Sequence, residues 1–121
     1  MMTGTVVGLQ ARVSVTLRLS GQPDIAIEFV VDTGFEGALA LPPEAVAALG
    51  LPFYQGIYAN LADNSNVSVD AYRATIFWKG QELSAAVLAM GRRPLLGTAL
   101  LAGNELVAQF VDNGLVTVDD V

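Results

Sequence analysis

The stretch VVDTGFEGALALP, residues 30–42, places one carboxylate, Asp32, directly after an apolar run and follows it with Thr33 and Gly34. Asp-Thr-Gly is a common turn sequence, because an aspartate accepts hydrogen bonds from backbone amides two residues further on. The apolar residues on both sides predict a chain that leaves one strand, displays a carboxylate and enters another. A single aspartate is a poor hydrolytic group, since it can only accept a proton when ionised or donate one when protonated.

Two aspartates that share one proton supply both roles, because like charges about 3 Å apart cannot both ionise. The chain contains no second Asp-Thr-Gly and no Asp-Ser-Gly. The nearest sequence, Asp112-Asn113-Gly114, lies in a predicted hairpin turn rather than after an apolar strand. A second aspartate must therefore come from another copy of the chain.

The composition argues against several other kinds of chemistry. The chain has no cysteine and no histidine, so it lacks a thiol nucleophile, the usual general base and the commonest metal ligand. Six basic residues against twelve acidic ones give a net charge of -6, which offers no basic patch to nucleic acid. No apolar run approaches the roughly 20 residues of a membrane span, and the first residues do not resemble a secretory leader. We expect a cytoplasmic protein without metal, cofactor, nucleic-acid partner or membrane contact.

The length of 121 residues predicts a single domain over residues 1–121. Alternating apolar residues from Val13 to Leu19 predict a strand, which the turn sequence SGQPD joins to a second strand, Ile25 to Val31. The sequence PPEAVAALG predicts a short helix, because proline suits a helix start and Gly50 suits its end.

The second half of the chain also reads as short strands. GIYANL and VSVDAYRATIFW, separated by ADNSN, predict a long hairpin with a polar tip, and the turn Lys79-Gly80-Gln81 precedes another strand, LSAAVLAM. A loop and a short helix follow in GRRPLLGTALLAGNEL, and Asn113-Gly114 predicts a final hairpin. Many short strands with two brief helices indicate an all-β barrel or sandwich.

These segments together resemble the retropepsin-like aspartic proteases, in particular their small bacterial members. The resemblance rests on VVDTGFEGALALP, the PPEAVAALGLP that follows it, the hairpin LADNSNVSVDAY and the later RPLLGTALL, and it spans nearly the whole chain in order. Asp-Thr-Gly alone is a weak signal, whereas an apolar run before it and a late Leu-Leu-Gly are moderately specific together. The resemblance implies a closed β-barrel-like fold and a homodimer with one shared active site.

The same resemblance implies roles for individual residues. Asp32 is the expected catalytic group, the Thr33 hydroxyl is expected to reach the opposite loop, and Gly34 is expected to let the backbone approach the substrate. The expected substrate-binding residues are Phe35, Glu36, Tyr58, Leu61, Ala62, Asp63 and Asn64. The expected supports of the active-site loop are Leu95, Leu96 and Gly97.

Each of these assignments has a purely structural alternative. Leu95-Leu96-Gly97 also reads as a buried strand end before a helix, with Thr98 as a possible helix cap. Residues 61–66 also read as an ordinary exposed hairpin tip. Phe35 stands where viral enzymes of the family carry a small residue, and Glu36 is also compatible with a solvated surface position.

Three hypotheses for function follow. The first is a homodimeric aspartic endopeptidase that binds an extended peptide or protein and hydrolyses it between two Asp32 carboxylates. The second is a catalytically weak or inactive dimer of the same fold that binds a peptide or protein, which Phe35 and a hairpin tip without glycine favour. The third, a serine-lysine hydrolase, rests on the only lysine, Lys79, with Ser65, Ser68 or Ser84 as the nucleophile.

Overall fold

The computed structural model describes residues 1–60 and 63–121, in which ten strands and two helices are found. In chain order the elements are β1 (Met2–Val7), β2 (Gln10–Arg18), β3 (Ile25–Val31), β4 (Leu39–Leu41), α1 (Pro43–Leu49), β5 (Phe53–Asn60), β6 (Asn66–Trp78), β7 (Gln81–Ala89), β8 (Leu95–Leu96), α2 (Thr98–Leu101), β9 (Asn104–Ala108) and β10 (Leu115–Asp120). The prediction of a mostly β fold with two brief helices is confirmed.

The alternating segment near the start forms β2 and presents its apolar residues to the core. Val13 and Val15 are buried, whereas Ser14 between them is exposed. β2 pairs antiparallel with β3, and Val13 lies opposite the fully buried Phe29. The first predicted hairpin is therefore confirmed, and it carries the chain directly to Asp32.

Six strands form a ring of hydrogen-bonded neighbours, in the order β2, β3, β8, β4, β7 and β6. The ring closes where β6 pairs antiparallel with β2, with Leu17 opposite Ile76. β3 pairs in parallel with β8, and β4 pairs in parallel with β7. β5 lies on the outer side of β6, while β1, β10 and β9 extend the sheet from β2.

The core fills this ring with large aliphatic and aromatic side chains. The largest fully buried ones include Phe29, Leu17, Leu39, Ile76 and Leu96. Burial of a side chain of this size contributes about 1.5–3 kcal/mol to stability. Leu39 and Leu96 lie opposite each other in the β4–β8 pair, so the core is tightly filled next to the loop that carries Asp32.

The first helix begins and ends as its sequence predicts. Pro42 occupies the N-cap position and Pro43 the first turn, where a missing amide hydrogen removes no helical hydrogen bond. Gly50 ends the helix in the left-handed conformation, with φ of 65°, and its amide donates to the Ala47 carbonyl. No helix among the described residues is long and apolar enough to cross a membrane.

The two ends of the chain differ from the sequence prediction. Residues 2–7, for which no strand was predicted, form β1, which lies between β2 and β10. The last two strands do form a hairpin, but residues 109–114 connect them instead of a tight Asn-Gly turn. Asn113 has φ of 57° and donates its amide to the Val6 carbonyl, so this connection is anchored on β1 rather than closed on itself.

Candidate active site

Asp32 lies at the start of a tight turn between β3 and β4, which we call the Asp32 loop (residues 32–38). Its carboxylate Oδ1 accepts a hydrogen bond of 2.9 Å from the Gly34 amide, and its carbonyl accepts one of 3.1 Å from the Phe35 amide. The Asp32 amide donates to the Leu96 carbonyl at 2.9 Å. The Asp32 carboxylate is therefore held by an amide of its own loop, and the Asp32 backbone is held by β8.

The strand β8 lies between β3 and β4 and borders the whole Asp32 loop. Leu96 lies beside Val31 in the parallel pair and opposite Leu39 in the antiparallel pair. The hydrogen bonds continue past the strand, because the Gly97 amide donates to the Ala38 carbonyl at 2.9 Å and the Thr98 amide donates to the Phe35 carbonyl at 2.8 Å. Residues 95–98 thus bind both ends of the loop.

Gly97 leaves no room for a side chain where residues 95–98 meet the Asp32 loop, a contact that we call the seam. A Cβ atom there would lie 2.2 Å from the Gly37 carbonyl oxygen and 2.4 Å from the Phe35 carbonyl oxygen. Gly97 is also the N-cap of α2, and Thr98 is the first helical residue. The alternative role of Thr98 as a helix cap is therefore wrong, since its hydroxyl donates instead to the Phe35 carbonyl at 3.3 Å.

A cavity of about 670 Å³ opens beside Asp32. Its walls come from the Asp32 loop, from β5 and from the ends of β7 and β8. The lining residues are Asp32, Gly34, Phe35, Glu36, Gly37, Ile57, Tyr58, Asn60, Leu88, Met90 and Leu95. The carboxylate thus stands at the edge of a partly apolar cleft large enough for several side chains of a peptide.

The structure brings together some of the sequence-predicted site residues and separates others. Six of them line this cavity: Asp32, Gly34, Phe35, Glu36, Tyr58 and Leu95. Thr33 is exposed on the Asp32 loop, whereas Leu96 is fully buried beneath it. Leu61 and Ala62 lie outside the described residues. Within the part that is described, Asp63 and Asn64 belong to the hairpin tip rather than to the cavity lining.

The long hairpin of β5 and β6 is confirmed, and it carries Tyr58 over the cavity. Tyr58 lies opposite Ser68, and its side chain is 83% exposed although it also lines the cavity. Near the tip, the Asn60 side-chain amide donates to Asn66 Oδ1 at 3.2 Å. Hydrogen bonds from the Ser65 hydroxyl and amide lower the pKa of Asp63 below its usual value.

Five lining residues were missed by sequence reasoning: Gly37, Ile57, Asn60, Leu88 and Met90. Leu88 and Met90 belong to the segment that the sequence identified only as a strand. They reach the cavity because β7 pairs in parallel with β4, a contact between strands more than 40 residues apart. The sequence of β5, FYQGIYAN, has no alternation that would mark Ile57 as a wall residue, and its half-buried position beside the exposed Tyr58 is visible only in the structure.

The surroundings of Lys79 do not suit a serine-lysine hydrolase. The Lys79 ammonium group forms an ion pair with Asp120 and also donates to Asn104 Oδ1. The hydrogen bond from Lys79 and its positive charge lower the pKa of Asp120. A lysine that acts as a general base contacts the nucleophilic serine, whereas the Lys79 ammonium group contacts Asp120 and Asn104. Lys79, Asn104 and Asp120 line a separate cavity of about 460 Å³. Lys79 therefore holds β10 against the turn between β6 and β7.

The described residues also bear on whether a metal ion could be held. Across residues 1–60 and 63–121, no group of three or more aspartate, glutamate, histidine or cysteine residues is arranged to hold an ion. Glu36 is a second acidic residue at the cavity, but it is exposed at the rim. Among the residues that line the cleft in one copy of the chain, Asp32 and Glu36 are the acidic ones.

No protein-family model matches the sequence, and no curated protein matches it. Solved structures that are similar to it include the following two. EIAV protease, solved in complex with the inhibitor HBY-793, superposes with a TM-score of 0.60 at 20% identity, over 78% of this chain and 88% of that chain. A retropepsin-like aspartic protease from Rickettsia conorii gives a TM-score of 0.49 at 16% identity, over 98% of this chain and 94% of that chain. The chain has a retropepsin-like fold.

Proposed function

We propose that the protein is an aspartic endopeptidase that works as a homodimer, in which Asp32 of each subunit activates one water molecule against a peptide bond. The observation that carries the proposal is the position of Asp32, at a turn fixed by β8 and at the edge of the cleft. The retropepsin-like fold supports the proposal. An extended peptide or protein segment would lie in the cleft.

The chemistry requires the two carboxylates to share one proton. The ionised Asp32 accepts a proton from water while the water oxygen bonds to the peptide carbonyl carbon, and the protonated Asp32 donates its proton to the carbonyl oxygen. The Asp32 that took the proton from water then gives it to the amine nitrogen as the C–N bond breaks, and the other Asp32 takes a proton from a hydroxyl of the tetrahedral intermediate, which restores the starting pair. The hydrogen bond from the Gly34 amide to Asp32 Oδ1 orients one carboxylate oxygen for this exchange.

The remaining site residues take roles that suit their positions. Thr33 is exposed on the Asp32 loop, where its hydroxyl would bond to the loop of the second subunit. The hairpin of β5 and β6 would cover the bound peptide, with Tyr58 above the cleft and Asp63 and Asn64 at its tip. Leu95 to Gly97 would hold the loop in place through the backbone hydrogen bonds described above.

The sheet supports a dimer that brings the two Asp32 loops together. One transverse row of paired residues crosses four strands, from Val30 on β3 through Arg12 and Thr5 to Leu115 on β10. Neighbouring strands lie about 4.8 Å apart, so Leu115 is roughly 14 Å across the sheet from Val30. Because Asp32 follows β3 immediately, this row marks the end of the sheet at which Asp32 lies.

Exposed apolar side chains concentrate at that same end. Leu9, in the turn between β1 and β2, is 81% exposed, and Phe110 and Val111, in the connection between β9 and β10, are 62% and 65% exposed. Leu115 is also exposed. Clustered apolar groups of this size are typical of protein contacts. A second copy of the chain bound here would cover them and complete the pair of aspartates.

The proposal is tested by digestion of a mixed peptide library near pH 5, with cuts identified by mass spectrometry for the wild type and for Asp32→Asn. We expect cuts from the wild type and none from the variant, which is nearly isosteric but cannot titrate. The rate should peak on the acid side of neutrality and fall when both carboxylates ionise. A wild type that is folded and dimeric but makes no cuts would refute the proposal.

A second candidate is a peptide-binding dimer with little or no turnover. The observation in its favour is Phe35, whose ring takes up part of the cleft beside Asp32. This candidate predicts that the wild type retains peptides without cutting them and that Asp32→Asn retains the same peptides. Cuts that depend on Asp32 would exclude it.

A further inference from the structure

The ring of Phe35 forms one wall of the cleft, three residues after Asp32. Phe35 is half-buried and packs against a small cluster made by Ala40, Ala71 and Leu88. Its remaining exposed surface faces the cavity that Asp32 also lines. Two members of the cluster are alanines, so the ring occupies space that larger side chains would otherwise fill.

Two glycines and the backbone hydrogen bonds of the Asp32 loop hold the ring in this position. A Cβ atom on Gly37 would lie 2.5 Å from Phe35 Cζ, and one on Gly97 would lie 2.6 Å from Phe35 Cδ2, so the ring rests directly on both glycines. The Phe35 backbone is held at both ends, because its amide donates to the Asp32 carbonyl and its carbonyl accepts from the Thr98 amide. An incoming side chain therefore meets a fixed wall.

We infer that Phe35 is a specificity-determining residue, which limits the protein to peptides with a small side chain, such as glycine, alanine or serine, at the position that lies over its ring. The inference rests on the proposed function and deepens it. A tightly packed wall cannot yield to an added group, and a single methylene in an apolar pocket already changes selectivity by about 10- to 200-fold. Removal of the ring should open the position to leucine and phenylalanine.

The test compares the wild type with Phe35→Ala and Phe35→Leu on the same peptide library. We expect one position beside the cut to be restricted to small residues in the wild type. In Phe35→Ala the ratio of leucine or phenylalanine to alanine at that position should rise by about 10-fold or more, with an intermediate rise in Phe35→Leu. Phe35→Leu also keeps the test available if Phe35→Ala does not fold.

Phe77→Ala is the matched control. Phe77 is also half-buried, but it lies on β6 and does not line the cleft. The Arg18 guanidinium carbon lies over the Phe77 ring, 4.9 Å from the ring centre. Its loss should leave the size profile unchanged. Identical profiles for the wild type and both Phe35 variants would overturn the inference, because a purely structural role for the ring would lower the rate without changing the preference.

A peptide-binding experiment distinguishes failure of this inference from failure of the proposed function. Peptides retained by immobilised Asp32→Asn and by Asp32→Asn/Phe35→Ala are identified by mass spectrometry. If no protein cuts but the double variant retains peptides with larger residues, catalysis is refuted and the inference stands. If the wild type cuts with an unchanged size profile, only the inference fails. If nothing is cut or retained, both fail.

Discussion

Substitution of Gly97 by alanine tests whether the seam between β8 and the Asp32 loop is as tight as the structure shows. The added Cβ atom would lie 2.2 Å and 2.4 Å from two backbone carbonyl oxygens, closer than the 3.0 Å below which real Cβ atoms are essentially never found. Both obstacles belong to the backbone of the loop, so no side-chain rotation relieves the contact. The loop and β8 must separate by nearly 1 Å.

The cost of this separation has two parts. Overpacking of a filled site costs about 1–3 kcal/mol. The seam also holds three backbone hydrogen bonds, donated by Gly97, Thr98 and Ala99 to carbonyls of residues 35–38, and each contributes about 0.5–1.5 kcal/mol when it is made well. If the displacement costs the equivalent of one of these hydrogen bonds, Gly97→Ala should lose about 2–4 kcal/mol of stability, equivalent to a decrease in Tm of roughly 10 °C for a chain of this size.

Thermal unfolding followed by circular dichroism, at one fixed protein concentration, measures this change. Gly56→Ala is the matched control, because a Cβ there meets only Asp70 Oδ1, at 3.9 Å. Peptide cleavage should fall by about 100-fold in Gly97→Ala, since a displacement near 1 Å of a catalytic group costs about that much. A Tm for Gly97→Ala equal to that of Gly56→Ala would refute the reasoning.

Three further outcomes are expected. Asp120→Asn should lower the Tm slightly at pH 7, because Lys79 holds the pKa of Asp120 below its ordinary value in the folded protein. The difference in Tm between wild type and variant should disappear as the pH falls through that lowered pKa, where Asp120 becomes protonated. Phe110→Ser should shift sedimentation toward the monomer at a given concentration, and an unchanged mass would count against the interface. The wild-type dimer should weaken as the pH rises, because two apposed Asp32 anions repel, and a constant mass across the pH series would remove that expectation.

Lys79→Met tests whether Lys79 serves as a catalytic base or as a structural partner of Asp120. We expect it to leave peptide cleavage unchanged and to lower the Tm, because Lys79 contacts Asp120 and Asn104 on the last strands. Loss of turnover in a variant that remains folded and dimeric would return attention to the serine-lysine hypothesis.

Local signals in the sequence predicted most of the elements. The alternating apolar residues of β2 predicted which of its faces is buried, and Gly50 predicted the end of α1. Both signals act within a few residues of the chain. The tight turn at Asp32 was also predictable, since the carboxylate of Asp32 binds the amide of Gly34 two residues later. β1 escaped detection, because the two-residue turn that joins it to β2, Gly8-Leu9, carries a leucine at a positive φ of 65°, where asparagine or glycine is the usual signal. Its other partner, β10, lies at the far end of the chain.

The sequence by itself determined that the chain displays one carboxylate after an apolar strand and contains neither cysteine nor histidine. Only the tertiary structure decided what surrounds that carboxylate. The insertion of β8 between β3 and β4, and the arrival of Leu88 and Met90 from β7, depend on pairings between distant parts of the chain. Such contacts form because the whole apolar core closes at once, and no short stretch of sequence encodes them.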